Sequence, residues 1–223
     1  MFQNNNTTPK WSDSLTIYEV NLRQFTPEGT IDAFRNHPPR LKSMGVGILW
    51  FMPMHPIGKL NRKGTLGSYY SVMHYYQVNP EFGTLNEFKS LVDTIHEMGM
   101  YVMIDWVTNH TSWDNNIVDR NPDWFAKSQT GKFQHPPETD WLDVIDLEDY
   151  DNNDLRKYMA NDMAFGVKDV NVNGFQCDVV TMVPTDFWKS TISELHEIKP
   201  IFMPAESDDP DLLYKTFDTD YTV

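Results

Sequence analysis

Two carboxylates, each at the end of an apolar segment, are the residues of this sequence best suited to chemistry. Asp178 ends the segment Asn173-Gly174-Phe175-Gln176-Cys177-Asp178, and Glu206 ends the segment Phe202-Met203-Pro204-Ala205-Glu206 one βα unit later. Segments of this kind are typical of strands buried on both faces, and a parallel barrel gathers the C-terminal ends of its strands at one end. Two carboxylates that face one pocket are the minimal machinery for cleaving a glycosidic bond. The sequence therefore predicts Asp178 and Glu206 as a catalytic pair.

The elements that would position this pair alternate between strands and helices along the chain. Apolar segments rich in β-branched and aromatic residues predict five strands, at Thr16–Asn21, Gly47–Pro53, Tyr101–Val107, Gly174–Val179 and Ile201–Glu206. Amphipathic segments between them predict helices at Thr30–Met44, Thr84–Met98, Asn153–Phe165 and Asp186–Ile198. This alternation predicts an α/β fold with a parallel sheet inside and helices outside.

Sequence signals at the helix ends support this assignment. Thr84 followed by Glu87 predicts a capping box, while Pro38 and Pro39 predict a break in the first helix. Gly166 and Pro200 are predicted to stop the third and fourth helices.

Two connections are much longer than the 2–6 residues that βα loops usually need. They are His55–Phe82 and His110–Tyr150, and both follow the C-terminal end of a strand, where barrel enzymes build their sites. We interpret residues 110–150 as a long loop subdomain inserted after strand three. Its aromatic residues, either a small satellite core or a platform for a sugar ring, are Trp113, Trp124, Phe133 and Trp141.

Composition predicts one globular domain over residues 1–223, with 40% hydrophobic and 22% charged residues. The formal net charge of −14 argues against nucleic acid or an anionic membrane surface as a partner. Cys177 is the only cysteine, so an intrachain disulfide is excluded. Met1 to Lys10 holds no apolar stretch. Without an export signal in the chain as given, a cytoplasmic location is the default expectation, or a periplasmic or secreted one if a signal was removed.

Several short motifs, in a fixed order, resemble the α-amylase family of glycoside hydrolases. Asp105-Trp106-Val107-Thr108-Asn109-His110 is similar to the signature of the family's third strand, and Gly67–Val72 to its loop after strand two. Gly174–Asp178 is similar to the pattern Gly-Phe-Arg, one residue, then Asp. The resemblance runs from about Trp11 to the end of the chain and implies a (β/α) barrel of TIM-barrel type.

The resemblance also implies roles for individual residues. Asp178 would be the nucleophile and Glu206 the general acid/base of a retaining mechanism on α-glucans. Four further residues are implied to bind the substrate or to organise its site. Tyr70 would stack on the sugar and His110 would hydrogen-bond it. Asp105 would organise the strand end, and Gln176 would lie beside the nucleophile. The implied partner is an α-glucan or maltooligosaccharide. No cofactor is expected to be required, but Asn109 and Asp146, the latter in Asp143–Leu147, are candidate calcium ligands by the same resemblance.

Two departures from the family pattern bear on activity. Gln176 stands where the family has Arg, whose charge would keep the nucleophile ionised, so we expect a raised pKa at Asp178 and a large loss of rate. Phe217–Tyr221 resembles the opening of strand six and the chain ends at Val223. We therefore expect a truncated barrel of five to six strands without the family's later His-Asp pair, and self-association through its open edges.

Two functional classes remain open on the sequence. The first is an α-glucan hydrolase of α-amylase type, impaired by Gln176 and by truncation. The second is a non-catalytic relative that binds oligosaccharide or serves as an interaction module. A nucleotide-binding doubly wound domain is disfavoured because no glycine-rich phosphate loop follows the first strand.

Overall fold

The computed structural model of the chain describes residues 8–148 and 150–221. Six parallel strands form one sheet in the order β1-β2-β3-β6-β7-β8, and β4 and β5 form a separate antiparallel pair. Their bounds are β1 Thr16–Val20, β2 Val46–Phe51, β3 Tyr101–Val107, β4 His110–Ser112, β5 Val144–Asp146, β6 Phe175–Asp178, β7 Pro204–Glu206 and β8 Thr219–Tyr221. The sheet curls as part of a barrel, so the predicted α/β fold of incomplete TIM-barrel type is confirmed.

The described part of the chain contains seven α-helices. They are α1 Leu22–Phe25, α2 Ile31–Phe34, α3 Pro38–Ser43, α4 Leu85–Glu97, α5 Asn153–Phe165, α6 Thr185–Ile198 and α7 Pro210–Lys215. Short 3₁₀ turns lie at Pro122–Trp124 and Val180–Met182, and a π-helical turn lies at Gly166–Val170. Among the described residues, no helix is both long and apolar enough to cross a membrane.

The predicted helix signals are confirmed. The capping box of α4 is present, since the Thr84 hydroxyl accepts from the Glu87 backbone N–H and the Glu87 carboxylate accepts from the Thr84 N–H. The proline pair divides the first predicted helix into α2 and α3. The α-helix α5 ends at Phe165 with Gly166 as its C-cap, as predicted, and a π-helical turn then continues to Val170 and ends at Asn171, whose φ is 69°.

Close packing explains why a glycine stands at position 166. A Cβ there would lie 2.9 Å from the Phe175 ring, so the residue lets α5 approach β6. Gly174 has a similar role, because its Cβ would lie 1.8 Å from the Phe202 carbonyl oxygen. Phe202 forms only a bridge to Gly174, and β7 is therefore shorter than the predicted Ile201–Glu206.

The sheet buries side chains on both faces. Its outer face packs against the helices in the main core, and Phe51, Trp106 and Phe175 are among the largest buried side chains there. The inner face holds a smaller cluster of Ile48, Met103 and Phe202, covered by Trp11, whose ring stacks on Tyr101 at 4.0 Å. The inner cluster thus fills the lower part of the barrel and leaves the strand ends free for a site.

The long loop after β3 packs against the main core. Trp124, Phe125 and Ile145 from this loop belong to the same buried cluster as the helix-facing residues of the sheet. The satellite-core interpretation therefore suits Trp124, which is 7% exposed. That residues 110–150 form a subdomain stays a prediction.

Candidate active site

The strand register brings the two predicted catalytic carboxylates to adjacent strand ends. Cys177 of β6 pairs with Ala205 of β7, so the residue after each, Asp178 and Glu206, ends its strand at the same level. Both side chains line a pocket of about 350 Å³ at the C-terminal ends of the strands. Tyr70 and His110 line the same pocket, so four of the predicted site residues meet in one place. Its volume lies within the range of small-molecule sites.

Asp178 lies in an environment that disfavours its charged form. Asp178 is 8% exposed, and burial raises the pKa of its carboxyl well above the usual range. The carboxylates of Asp105 and Glu206 add to the shift. No ion pair joins Asp178 to a lysine or arginine among the described residues. The raised pKa predicted for Asp178 is therefore present in direction, with burial as its largest cause.

The backbone after the nucleophile candidate orients Glu206. Val179 has φ 41° and ψ 49°, a left-handed conformation that β-branched residues rarely adopt. In this conformation its N–H donates to Glu206 Oε2 at 3.2 Å. The turn at Val179 thus links the end of β6 to the carboxylate of β7.

His110 is present as a neutral imidazole. Burial lowers its pKa to about 3, and the Lys63 ammonium contributes in the same direction. Its Nε2 lies 4.0 Å from Asp178 Oδ2, which is too long for a direct hydrogen bond. The Tyr75 hydroxyl donates to the His110 carbonyl oxygen at 3.1 Å and helps to fix the start of β4.

Tyr70 connects the pocket to the carboxylate beneath it. Its hydroxyl donates to Asp105 Oδ2 at 3.0 Å, and burial raises the pKa of Tyr70. Asp105 is fully buried, and burial raises the pKa of its carboxyl well above the usual range. Asp105 is not among the residues that line the pocket, so its place is below the site.

Gln176 also lies below the pocket. It is 1% exposed and pairs in register with Asp105 of β3. Its Nε2 donates to the Tyr221 hydroxyl at 2.7 Å, while its Oε1 is buried without a partner among the described residues. Tyr221 also packs against Trp50, with ring centroids 5.7 Å apart. An amide and a phenol therefore stand where the family pattern places a cation.

Sequence reasoning missed three side chains that line the pocket, Lys63, Ser68 and Asp143. They come from two loops far apart in sequence: Ser68 and Asp143 stand in the quoted motifs Gly67–Val72 and Asp143–Leu147 without a predicted role, and no motif marks Lys63. Trp141 is one of the aromatic residues of the long loop, and the structure places it against the His110 ring, with centroids 5.2 Å apart. Its position favours the ligand-platform interpretation for this one aromatic residue.

The two candidate calcium ligands do not assemble a cation site. The side-chain amide nitrogen of Asn109 lies 3.3 Å from His110 Nδ1, and the backbone carbonyl oxygen of Asn109 accepts from the Leu147 N–H at 2.8 Å. Asp146 lines a separate crevice with Glu148, and burial raises its pKa to about 6. Across the described ranges no group of three or more acidic, histidine or cysteine side chains could hold a metal. Since calcium takes 6–8 oxygen ligands, these residues do not fit it.

Solved structures of known proteins share this architecture. An alpha-amylase from Lactobacillus plantarum is 36% identical, with a TM-score of 0.88 over 93% of this chain and 52% of that one. A noncanonic maltogenic alpha-amylase from Thermotoga neapolitana is 38% identical, with a TM-score of 0.87 over 93% of this chain and 49% of that one. The barrel of this chain is therefore that of alpha-amylases.

Curated relatives and a family model agree. Alpha-amylase 3 of Dictyoglomus thermophilum is 25% identical over 85% of this chain and 42% of its own length. Malto-oligosyltrehalose trehalohydrolase of Saccharolobus solfataricus is 24% identical over 89% of this chain and 34% of its own length. The chain thus spans about half of the similar structures and less than half of these curated relatives. The model described as alpha amylase, catalytic domain, matches residues 2–148, more than half of the chain. The chain therefore belongs to the alpha-amylase family and resembles it through the catalytic domain.

Proposed function

We propose that the chain acts on α-glucans as a glycoside hydrolase of α-amylase type, by a retaining mechanism. The observation that carries the proposal is the pair Asp178 and Glu206 at the ends of adjacent parallel strands, with both side chains in one pocket beside His110 and Tyr70. Glucan-active relatives support the substrate class, since their names include alpha-amylase and malto-oligosyltrehalose trehalohydrolase.

In the proposed reaction, Asp178 attacks the anomeric carbon and forms a covalent glycosyl-enzyme intermediate. Glu206 gives its proton to the leaving glycosidic oxygen in this step. A water molecule then attacks the intermediate, Glu206 takes the proton from that water, and the Asp178 carboxylate is released. The two displacements together retain the configuration at the anomeric carbon.

The geometry around Asp178 suits a sugar hydroxyl. His110 Nε2 and Asp178 Oδ2 are 4.0 Å apart. A hydroxyl oxygen between them can lie within about 2.8 Å of both, accepting from the imidazole and donating to the carboxylate. The neutral state of His110 keeps one of its ring nitrogens available as a donor without adding a charge. Tyr70, which is hydrogen-bonded to Asp105, supplies an aromatic wall of the same pocket.

Gln176 is proposed to impair this machinery. A protonated Asp178 cannot attack, and burial raises its pKa, with the carboxylates of Asp105 and Glu206 adding to the shift. The Gln176 amide is committed to Tyr221 and adds no charge. These observations favour a second candidate function, a non-catalytic relative that binds oligosaccharide in the same pocket. The rate of the proposed hydrolysis therefore depends on the fraction of Asp178 that is ionised.

Hydrolysis of maltooligosaccharides and of nitrophenyl α-maltoside tests the proposal. We expect slow release of sugar with the α-configuration, detected by proton NMR, and no release by Asp178→Asn or Glu206→Gln. Asp208→Asn is the matched control, because Asp208 is an exposed carboxylate just beyond β7. Equal rates in the control and the two site variants would refute the assignment of the pair. Binding of maltooligosaccharide without any turnover would establish the second candidate function.

A further inference from the structure

A small cavity between the sheet and two of its helices is lined by three polar side chains. It has a volume of about 30 Å³ and lies between β3, α4, α5 and both ends of the loop that joins β2 to α4. Most of its wall is apolar or aromatic, but Asp162, His55 and Trp106 also line it. None of these three residues lines the pocket of Asp178 and Glu206. The cavity is therefore a second internal site, separate from the proposed hydrolysis.

Asp162 is a buried acid that needs a partner. It lies on α5 and is 2% exposed, and neither of its carboxyl oxygens has a hydrogen-bond partner among the described residues. The described residues that line the cavity include no lysine or arginine. A carboxyl group buried in this way is costly unless something satisfies it, and burial raises its pKa well above the usual range. Its two oxygens therefore require a ligand that suits either protonation state.

His55 and Trp106 add one acceptor and one donor. Nδ1 of His55 lies 3.2 Å from the Gln77 carbonyl oxygen, which can only accept, so Nδ1 carries the ring proton. Burial lowers the pKa of His55 to about 4, so near neutral pH its Nε2 is an acceptor. The indole N–H of Trp106 can only donate. Nε2 of His55 and Nε1 of Trp106 are both buried without a partner among the described residues.

We propose that this cavity binds one or two water molecules that bridge Asp162, His55 and Trp106. A single water can accept from the Trp106 N–H and donate to the Asp162 carboxyl and to His55 Nε2, which gives the three hydrogen bonds typical of buried water. One water needs about 10–15 Å³ of cavity volume, so about 30 Å³ is enough for two. A monovalent cation fits worse, because the Trp106 N–H cannot ligate it and a protonated Asp162 would not neutralise it.

The water site joins α5 to the base of the loop after β2. His55 begins this loop, and Tyr75 lines the same cavity near the loop's other end. On either side of His55, the Met73 N–H donates to the Pro56 carbonyl oxygen at 2.8 Å and the Asn79 N–H donates to that of Met54 at 2.7 Å. The bridging water adds a tie to α5 that no described side chain supplies.

A high-resolution crystal structure of the full chain, from crystals grown with potassium chloride and soaked in rubidium chloride, tests the ligand. We expect density for water within about 2.7–3.2 Å of the Asp162 carboxyl and of His55 Nε2 or Trp106 Nε1, without an anomalous rubidium signal. A rubidium peak would show a cation site and overturn the proposal. A cavity without density, or a direct hydrogen bond from Asp162 to another side chain, would overturn it as well.

Amide hydrogen exchange of Met73 and Asn79, followed by NMR, tests the tie to the loop. Asp162→Leu should speed exchange at these two amides by about fivefold, the factor for losing one hydrogen bond in a local opening, and leave α6 unchanged. Asp162→Asn can still donate and accept, so its exchange should stay parental. Asp154→Leu is the matched control, because Asp154 is an exposed aspartate of the same helix. Parental exchange in folded Asp162→Leu would overturn the tie, and where this variant does not fold the crystal structure decides alone.

Discussion

Replacing Gln176 by arginine is expected to lower the pKa of Asp178 and to raise activity. Residues 176 and 178 lie two apart on β6, and side chains at that spacing share a face of the strand, with Cα atoms about 6.6 Å apart. At an effective dielectric constant near 20, a positive charge at about 6.6 Å stabilises the carboxylate by about 2.5 kcal/mol, or about 1.8 pKa units. The ionised fraction of Asp178, and with it the rate, would rise by up to about 60-fold at pH values below its pKa.

Two measurements check this expectation. The acidic limb of the rate profile on nitrophenyl α-maltoside should move to lower pH by about 1.8 units in Gln176→Arg. Stability should respond as well: the folded pKa of Asp178 is raised, so the native state binds more protons than the unfolded one, and stability falls as pH rises above the ordinary aspartate pKa of about 3.8. Gln176→Arg should make this fall shallower in denaturant titrations at several pH values.

Gln176→Lys and Gln176→Met are the matched variants. Lysine adds the charge without the planar fork of arginine, so it should reproduce the pKa change but less of the rate increase. Methionine removes the amide that donates to Tyr221 and adds no charge, so the acidic limb should stay in place. A folded Gln176→Arg protein with an unmoved acidic limb and unchanged pH dependence of stability would refute the electrostatic reasoning.

Three further predictions follow from the site and the sheet. Since burial lowers the folded pKa of His110 to about 3, its ring should titrate near that value by NMR. Between pH about 6.5 and about 3 the unfolded state binds more protons than the folded state, so stability should fall as the pH is lowered through this range. His110→Gln should remove this slope. Tyr70→Phe removes the hydrogen bond to Asp105 and should cost about 1–2 kcal/mol in urea unfolding, while an unchanged midpoint would contradict that bond. The edge strands Thr16–Val20 and Thr219–Tyr221 each pair on one side only in the described sheet, so light scattering should show association that increases with concentration; a monodisperse monomer would contradict it.

The strands and most helix ends could be predicted because their signals are local. The strand at Tyr101–Val107 matches its predicted bounds, since a short and mostly apolar segment of this kind is typical of a strand buried on both faces. The capping box at Thr84 is likewise contained in four residues. Gly166 caps α5 as predicted, but its conformation is ordinary for a helix, with φ −56°, so the backbone there does not require glycine. What selects glycine there is the Phe175 ring, a contact with β6 that no local pattern reveals.

The same distinction applies to the site. Asp178, Glu206, His110 and Tyr70 stand in motifs near strand ends, so their convergence follows from barrel topology. Lys63 and Asp143 lie 80 positions apart in two irregular loops and meet only through the contacts that anchor those loops. Asp105 and Gln176 belong to the motifs, yet side-chain alternation and register place them below the pocket.

Position 176 also connects catalysis to stability in an uncommon way. Active sites usually sacrifice stability for function, so substitutions that raise one lower the other. Here Asp105 and Asp178 are buried carboxyls, the pKa of both is raised, and the described ion pairs supply no lysine or arginine to either. The arginine of a Gln176→Arg variant would stabilise the ionised form of Asp178, which the proposed attack needs. It would also offset the repulsion between the Asp105 and Asp178 carboxylates in the folded state. Gln176→Arg should therefore raise activity and stability together at neutral pH. A gain in one with a loss in the other would show that the free-energy cost of burying the guanidinium exceeds its attraction to these two carboxylates.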